Sequence, residues 1–423
     1  MRRGVGAFVV AIALVVVGAA HASANARYGV QDDAWLMYGT GTLEQRLATL
    51  HGLGVGIVRF TLRWDQIAPT APASPRDPTD PAYAWGQFAN VLDGLHQEGI
   101  PALVTIYGSP RWANGGHPPN WLPATASVAD FAYAASKEFP WVHMWTVWNE
   151  PNGRVFSVPV SPKLYVQRLL NPAYVALHQA SSANLVAGGV TSPRQEPSGM
   201  SPLTFMEDMR LYHARLDAYA QNPYPVAPGE TPFKTTCSHC TYLTMARLAV
   251  IRADVSELFG PQKQLWLTEY GYQTNPPDRL LGVPWATQAL FESEAALHVW
   301  EQPGATVLIH FLVRDEPNLG GWQSGFFTAT GAQKPSYRSF ALPFVQVSRS
   351  GSRTQLWGQV RPGSGARPYA VQRWTGHGWS TVGGVHRTGS GGTFLETIVA
   401  PRGTKLRLES SQISFASPTL VVT

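Results

Sequence analysis

Along residues 27–344, short apolar runs alternate with longer amphipathic stretches, one pair roughly every 35–45 residues. That is the pattern of repeated strand–helix units. The apolar runs predict strands at Arg27–Val30, Gly56–Leu62, Ala102–Tyr107, Val142–Trp148, Leu185–Val190, Leu216–Ala220, Gln264–Thr268 and Thr306–Leu312. The stretches between them predict helices at Leu43–Leu53, Trp85–Glu98, Val128–Phe139, Pro162–Ser181, Leu203–Arg215, Leu243–Phe259 and Ala286–Glu301. Thr42 is the expected cap of the first helix. Gly54 and Gly99 stand where a left-handed closing residue is needed. Eight buried strands separated by helices over about 318 residues predict a (β/α)8 TIM barrel. The rival, a doubly wound open sheet, would carry a G-x-G-x-x-G after its first strand, and neither that motif nor a P-loop is present.

Beyond Ala341-Leu342-Pro343 the helical period stops. Residues 345–423 are rich in Gly, Ser, Thr and Val, with alternating runs at Gln355–Val360, Tyr369–Trp374, Thr393–Ile398 and Lys405–Glu409. They predict a small all-β, sandwich-like domain of the immunoglobulin or fibronectin kind. At the other end, Arg2-Arg3 precedes an apolar run from Ala7 to Ala20 and the small-x-small site Ala24-Asn25-Ala26. This is the pattern of a secretory signal, with Ala20-His21-Ala22 a second cleavage site. An apolar run of about 14 residues is short of the ~20 that a spanning anchor needs. The expected organisation is therefore a signal peptide (1–26), a barrel (27–344) and a β-sandwich accessory domain (345–423), exported and free of a membrane span once cleaved.

Composition sharpens this outline. Of 423 residues 44% are hydrophobic and only 14% charged, against a usual ~25%, which excludes a disordered or coiled-coil chain. The formal charge of +5 raises nucleic acid as a partner, but its distribution argues otherwise. The signal carries +2, the barrel −4 and the tail +7. No nucleic-acid motif accompanies the tail, and export disfavours that partner. An anionic cell-wall or matrix polymer is the expected counterpart. The two cysteines, Cys237 and Cys240, form a C-x-x-C that reads as a redox pair, half a zinc site with His239, or a local disulfide. Export favours the disulfide.

The chemistry lies at the strand ends. The fourth strand runs into Trp148-Asn149-Glu150-Pro151-Asn152, and the seventh into Thr268-Glu269-Tyr270-Gly271. A carboxylate directly after an apolar strand is costly unless it faces a polar cleft or has partners. Barrel active sites gather at the C-terminal strand ends, so both acids converge on one mouth. A rim ion pair would explain either acid alone, but it does not explain both together. Paired carboxylates are the requirement of glycoside hydrolysis, one to protonate the leaving oxygen and one to attack or to activate water.

These residues resemble the clan A glycoside hydrolases, most closely families 39 and 5. The likeness spans most of 27–344 and includes Val58-Arg59-Phe60 and Ser109-Pro110-Arg111-Trp112. It implies a retaining double displacement with Glu150 as acid/base and Glu269 as nucleophile, without metal or cofactor. It also implies substrate-binding roles. Asn149 would bond the sugar 2-hydroxyl, Arg59 would favour the ionised form of Glu269, and Tyr224 would donate to it. Asn222 stands where relatives carry His. Phe311 or His310 occupies the place of the usual platform Trp, with Trp322 able to swing in instead. Trp112 and Trp64 are further platform candidates. The competing reading is a catalytically silent carbohydrate-binding or wall-associated barrel, which has no need of both carboxylates.

Overall fold

The computed structural model describes residues 26–237 and 241–423. The signal-peptide reading falls, apart from Ala26, outside the described residues. Eight parallel strands close into a barrel in sequence order: β1 (Arg27–Gln31), β2 (Ile57–Arg63), β3 (Ala102–Tyr107), β4 (Met144–Val147), β5 (Leu185–Thr191), β6 (Ala218–Gln221), β7 (Gln264–Tyr270) and β8 (Ala305–Phe311). Closure is the β1–β8 pairing, from Arg27 opposite Val307 to Gln31 opposite Phe311. Among the described residues no helix is long and apolar enough to cross a membrane.

Alternation along each strand sorts the core into two. On β2, Val58, Phe60 and Leu62 face the helices, while Ile57 joins Leu103, Met144, Ala187, Ala218, Ala220, Trp266, Val307 and Ile309 inside the barrel. One indole, Trp266, fills the volume that the small residues of β5 and β6 leave open, as close packing demands. Nearer the C-terminal end the lining turns polar, with Gln31, Arg59, Thr105, Thr146, Gln221 and Thr268 all buried. Charge and hydroxyl groups at that depth need partners. At that end of the barrel the side chains are arranged by how they find them.

The helix over Leu43–Leu53 opens on a capping box between Thr42 and Gln45 and closes on Gly54 at φ 68°. The predicted helix over Pro162–Ser181 is instead broken into Pro162–Leu164, a π-helical turn at Tyr165–Leu170 and Asn171–Ala180. Pro172 has no N–H and would clash with a carbonyl one turn back, and the wide turn accommodates it. Its Tyr165 hydroxyl donates to Val147 O at 2.9 Å and accepts from Gly189 N at 3.1 Å, tying β4 to β5. Three short helices, Asp33–Tyr38, Trp64–Ile67 and Ser336–Ala341, escape the sequence pattern because they are too brief to show a period.

The C-terminal strands form two antiparallel sheets. One orders Thr393–Val399, Arg353–Gln359 and Phe344–Ser350; the other orders Trp379–Arg387, Pro368–Trp374, Lys405–Glu409 and Leu420–Val421. Between them lie Leu356, Val371, Leu406 and Leu408, with Tyr369 stacked on Phe394 at 3.9 Å. The strand over Trp379–Arg387 is interrupted by Gly383 and Gly384, both at positive φ, which hides it in the sequence. These sheets are fastened to the barrel. Trp357 belongs to the barrel-side core and meets Trp300 at 5.9 Å. The buried Arg361 guanidinium lies 4.2 Å from the ring centres of both Tyr28 and Phe340. Burial lowers its pKa to about 10, against the upward pull of Glu292. Trp357→Ala should therefore destabilise the barrel although it lies outside it, by about 3–5 kcal/mol. Urea unfolding followed by barrel tryptophan fluorescence will measure the loss.

Candidate active site

A cavity of about 680 Å³ opens at the C-terminal end of the barrel, and Glu150 and Glu269 both line it. Each is nearly buried, at 8% and 9% exposure. Glu150 is delivered by a strained exit from β4, where Trp148 has φ 74° and Glu150 has φ 40°. Such residues cost on the order of 1–3 kcal/mol each and persist only where the surroundings impose them. Here Trp148 N donates to Ile106 O at 2.8 Å, its indole N–H donates to Phe156 O at 2.8 Å, and Glu150 N donates to Val190 O at 2.9 Å. The strain ends β4 at Val147, short of the predicted Trp148. Asn152 exchanges hydrogen bonds of 2.9 Å with Ser192 and so joins this loop to the one after β5.

Arg59 sits beneath the cavity at 1% exposure. Its Nε donates to Thr105 Oγ1 at 2.9 Å, and its Nη2 donates to Asn149 Oδ1 at 2.9 Å. Its Nη1 donates to Gln31 Oε1 at 2.6 Å and forms a short ion pair with Glu269 Oε1. The other oxygen of Glu269 accepts from the Tyr224 hydroxyl at 3.0 Å. Burial, followed by the charges of Glu269 and Glu150, pushes the Tyr224 phenol well above its ordinary value, so it stays a donor.

Glu150 lives differently. Among the described residues no cation is paired with it, and Asn222 Nδ2 donates to its Oε1 at 3.0 Å. Thr268 Oγ1 donates to Asn222 Oδ1 at 2.8 Å, which fixes the amide with its nitrogen toward Glu150. Burial first, and the Glu269 charge second, raise the Glu150 carboxyl well above its ordinary 4.5. Asn222, which stands where relatives carry His, is thus a partner of Glu150.

The aromatic candidates divide. Trp322 lines the cavity, 4.6 Å from the Tyr224 ring and edge-on to Phe311 at 5.7 Å. Its loop is clasped by the buried Lys334, which donates to Asp315 at 2.7 Å, Thr274 at 2.8 Å and Gln323 O at 3.0 Å. Phe311 lines the cavity as well, whereas His310 turns away to Glu292 and Ser324 O, both at 2.9 Å. Trp112 lies outside the cavity lining, packed edge-on against Trp64 with its N–H on Ala68 O at 2.8 Å. Trp64 is core, stacked on Phe131. Cys237 is disulfide-bonded, and Cys240, its candidate partner, lies outside the described residues. Sequence reasoning missed Gln31, Asp33, Thr268 and Lys334. For Gln31 and Asp33 the signal existed: a polar run directly after an apolar strand, the same anomaly that marks the two glutamates.

No protein-family model matches this sequence, and no curated protein does either. Solved structures do match. A family 39 glycoside hydrolase from Bacteroides cellulosilyticus WH2 shares 15% identity at a TM-score of 0.58, over 90% of this chain and 81% of its own. A monomeric β-xylosidase from Caulobacter crescentus CB15 shares 13% at 0.55, over 89% and 94%. A family 5 glycoside hydrolase, of subfamily 18, from Streptomyces cattleya, solved with N-acetylglucosamine, shares 16% at 0.53, over 75% and 79%. The structural neighbours are thus glycoside hydrolases of families 39 and 5, the resemblance the motifs had pointed to. At these identities the likeness is one of fold: a TIM barrel followed by antiparallel sheets.

The two causes acting on Glu150 can be separated. In Glu269→Gln the like charge is gone but burial remains. The Glu150 titration, followed by carboxyl carbon NMR, should fall relative to wild type and still lie above 4.5.

Proposed function

We propose that this chain is a secreted, retaining glycoside hydrolase that cleaves β-linked O-glycosidic bonds of an oligo- or polysaccharide. One observation carries the reading. Two buried glutamates at the exits of β4 and β7 share a cavity but not an environment: one is held by a cation and a phenol, the other is kept from ionising by burial and by its neighbour's charge. Environments that push paired carboxyls apart define an acid and a base.

In the first step Glu269 attacks the anomeric carbon while Glu150 gives its proton to the departing oxygen. The products are a glycosyl ester on Glu269 and a free alcohol. The ester removes the Glu269 charge, the second cause after burial of the raised Glu150 pKa, so Glu150 becomes a stronger acid and can serve as base. It then takes a proton from water as the water oxygen attacks the same carbon, restoring both carboxyls and releasing the sugar with its original configuration.

The remaining residues supply binding. Asn149 accepts from Arg59 and has its amide N–H groups left for the sugar 2-hydroxyl. Trp322, supported by Tyr224 and Phe311, offers a face for the apolar side of a pyranose. The leader-like first 26 residues and the disulfide-bonded Cys237 fit export. The Caulobacter neighbour is a β-xylosidase, which favours a β-linkage.

A 2-deoxy-2-fluoro glycoside with an activated leaving group should label Glu269, and NMR should show the anomer first released to be the β form. Labelling of another residue, or an inverted first product, refutes the mechanism. Glu150→Gln should lose roughly 10²–10⁴-fold on unactivated glycosides and far less on dinitrophenyl glycosides, which need little protonation. Steady-state kinetics on the two series check this.

A further inference from the structure

The cavity wall at β1 and β2 carries an acidic side chain that the double displacement leaves unused. Asp33, just past β1, lines the cavity. It accepts from Thr61 N at 3.2 Å and from Gln31 Nε2 at 3.3 Å, both neutral donors. Burial raises the Asp33 carboxyl above its ordinary value, and its two oxygens have more hydrogen-bonding capacity than these contacts use, so it can offer a ligand an acceptor or an O–H. The same Gln31 accepts from Arg59 at 2.6 Å, so Asp33 is held in register with the residues around Glu269.

Its place on the ring fixes what it would meet. In an eight-strand barrel closed in sequence order, β1 stands opposite β5. If Glu150 protonates the leaving group, that group departs on the β4–β5 side, past Ser192, Arg194 and Glu196 of the cavity wall. The sugar ring then extends from between the glutamates toward β8, β1 and β2, where its hydroxyls remote from the anomeric carbon reach Asp33. On that side the cations lining the cavity are already paired among the described residues. Arg59 holds Glu269, and Arg63 holds Asp65 through two bonds of 2.8 Å. A uronate carboxylate would find no unpaired cation among the described residues there and would be desolvated without compensation.

We propose that Asp33 is a specificity-determining residue that binds the distal hydroxyls of a neutral glycone and disfavours uronic acids. The proposal rests on the glycosidase reading above.

The test uses the full mature chain. The neutral aryl β-glycoside it cleaves fastest is compared with that compound's 3-deoxy and 4-deoxy analogues and with the corresponding aryl uronide, in wild type, Asp33→Ala and the isosteric Asp33→Asn. A hydrogen bond to a buried carboxyl corresponds to roughly 3- to 100-fold in kcat/KM. Wild type should lose that much when the hydroxyl read by Asp33 is removed. Asp33→Ala should lose as much on the parent and then be nearly indifferent to the deletion, with Asp33→Asn intermediate. If Asp33 only braces Gln31 and Thr61, the variants lose activity on every analogue by the same factor, and that additive outcome overturns the proposal. So does a wild type that prefers the uronide to its neutral parent. A wild type that cleaves no glycoside refutes the glycosidase reading itself, whereas an active wild type with additive losses refutes Asp33 alone.

Discussion

The guanidinium of Arg59 is the group around which the upper barrel is organised. A cation taken out of water inside a barrel costs several kcal/mol unless its donors are met with good geometry. Arg59 meets this through Thr105, Gln31, Asn149 and Glu269, with Thr268 O a further acceptor at 3.2 Å. Those partners come from β1, β3, the β4 exit and β7. One side chain on β2 thereby sets the relative positions of residues drawn from four other places in the chain. It also accounts for the polar layer over the apolar floor: Thr105 and Gln31 are there because a buried arginine has donors to satisfy. The planar fork suits this task in a way a lysine ammonium does not.

The two glutamates differ because their neighbourhoods were built by different means. Glu269 extends β7 and drops onto Arg59. Glu150 is forced out of the ladder where Trp148 and Glu150 take positive φ, has no ion pair among the described residues, and receives the Asn222 amide. That separation of environments comes from backbone strain as much as from electrostatics. The aromatic wall is likewise held by polar means. Trp322 has no strand beneath it, and the buried Lys334–Asp315 pair keeps its loop against β7's neighbour Thr274.

Much of this was legible in the sequence, for reasons that also mark where it was not. Glu150 and Glu269 stood out because a carboxylate at the end of an apolar run is physically expensive, and the eight runs themselves located the strands. The early end of β4 was hidden, since nothing in Trp148-Asn149-Glu150 announces a positive φ in residues other than glycine. The π-helical turn was hidden although Pro172 was in plain view, because a proline forbids a regular helix without saying how the chain will respond. The role of Asn222 was not legible: its bond to Glu150 spans 72 positions and depends on how the exit of β6 meets that of β4, two strands away in the barrel. Tryptophans were the least readable residues. Trp322 lines the cavity while Trp64 and Trp112 pack on each other, and composition does not distinguish the two fates.

Arg361 reaches back from the C-terminal sheets to lie against Tyr28 on β1, and its carbonyl carbon stands 2.7 Å from where a β-carbon on Gly54 would be. The counterpart surface has been shaped accordingly, with a glycine where the incoming chain needs room and an aromatic ring where the cation lies. The two parts therefore form a matched pair rather than interchangeable modules. A chimera that grafted another β-sandwich onto this barrel would leave Tyr28 and Phe340 without the cation that covers them. The reciprocal graft would carry a buried arginine with no rings to receive it. Recombination between such proteins would have to move the Gly54 and Tyr28 neighbourhood together with the tail.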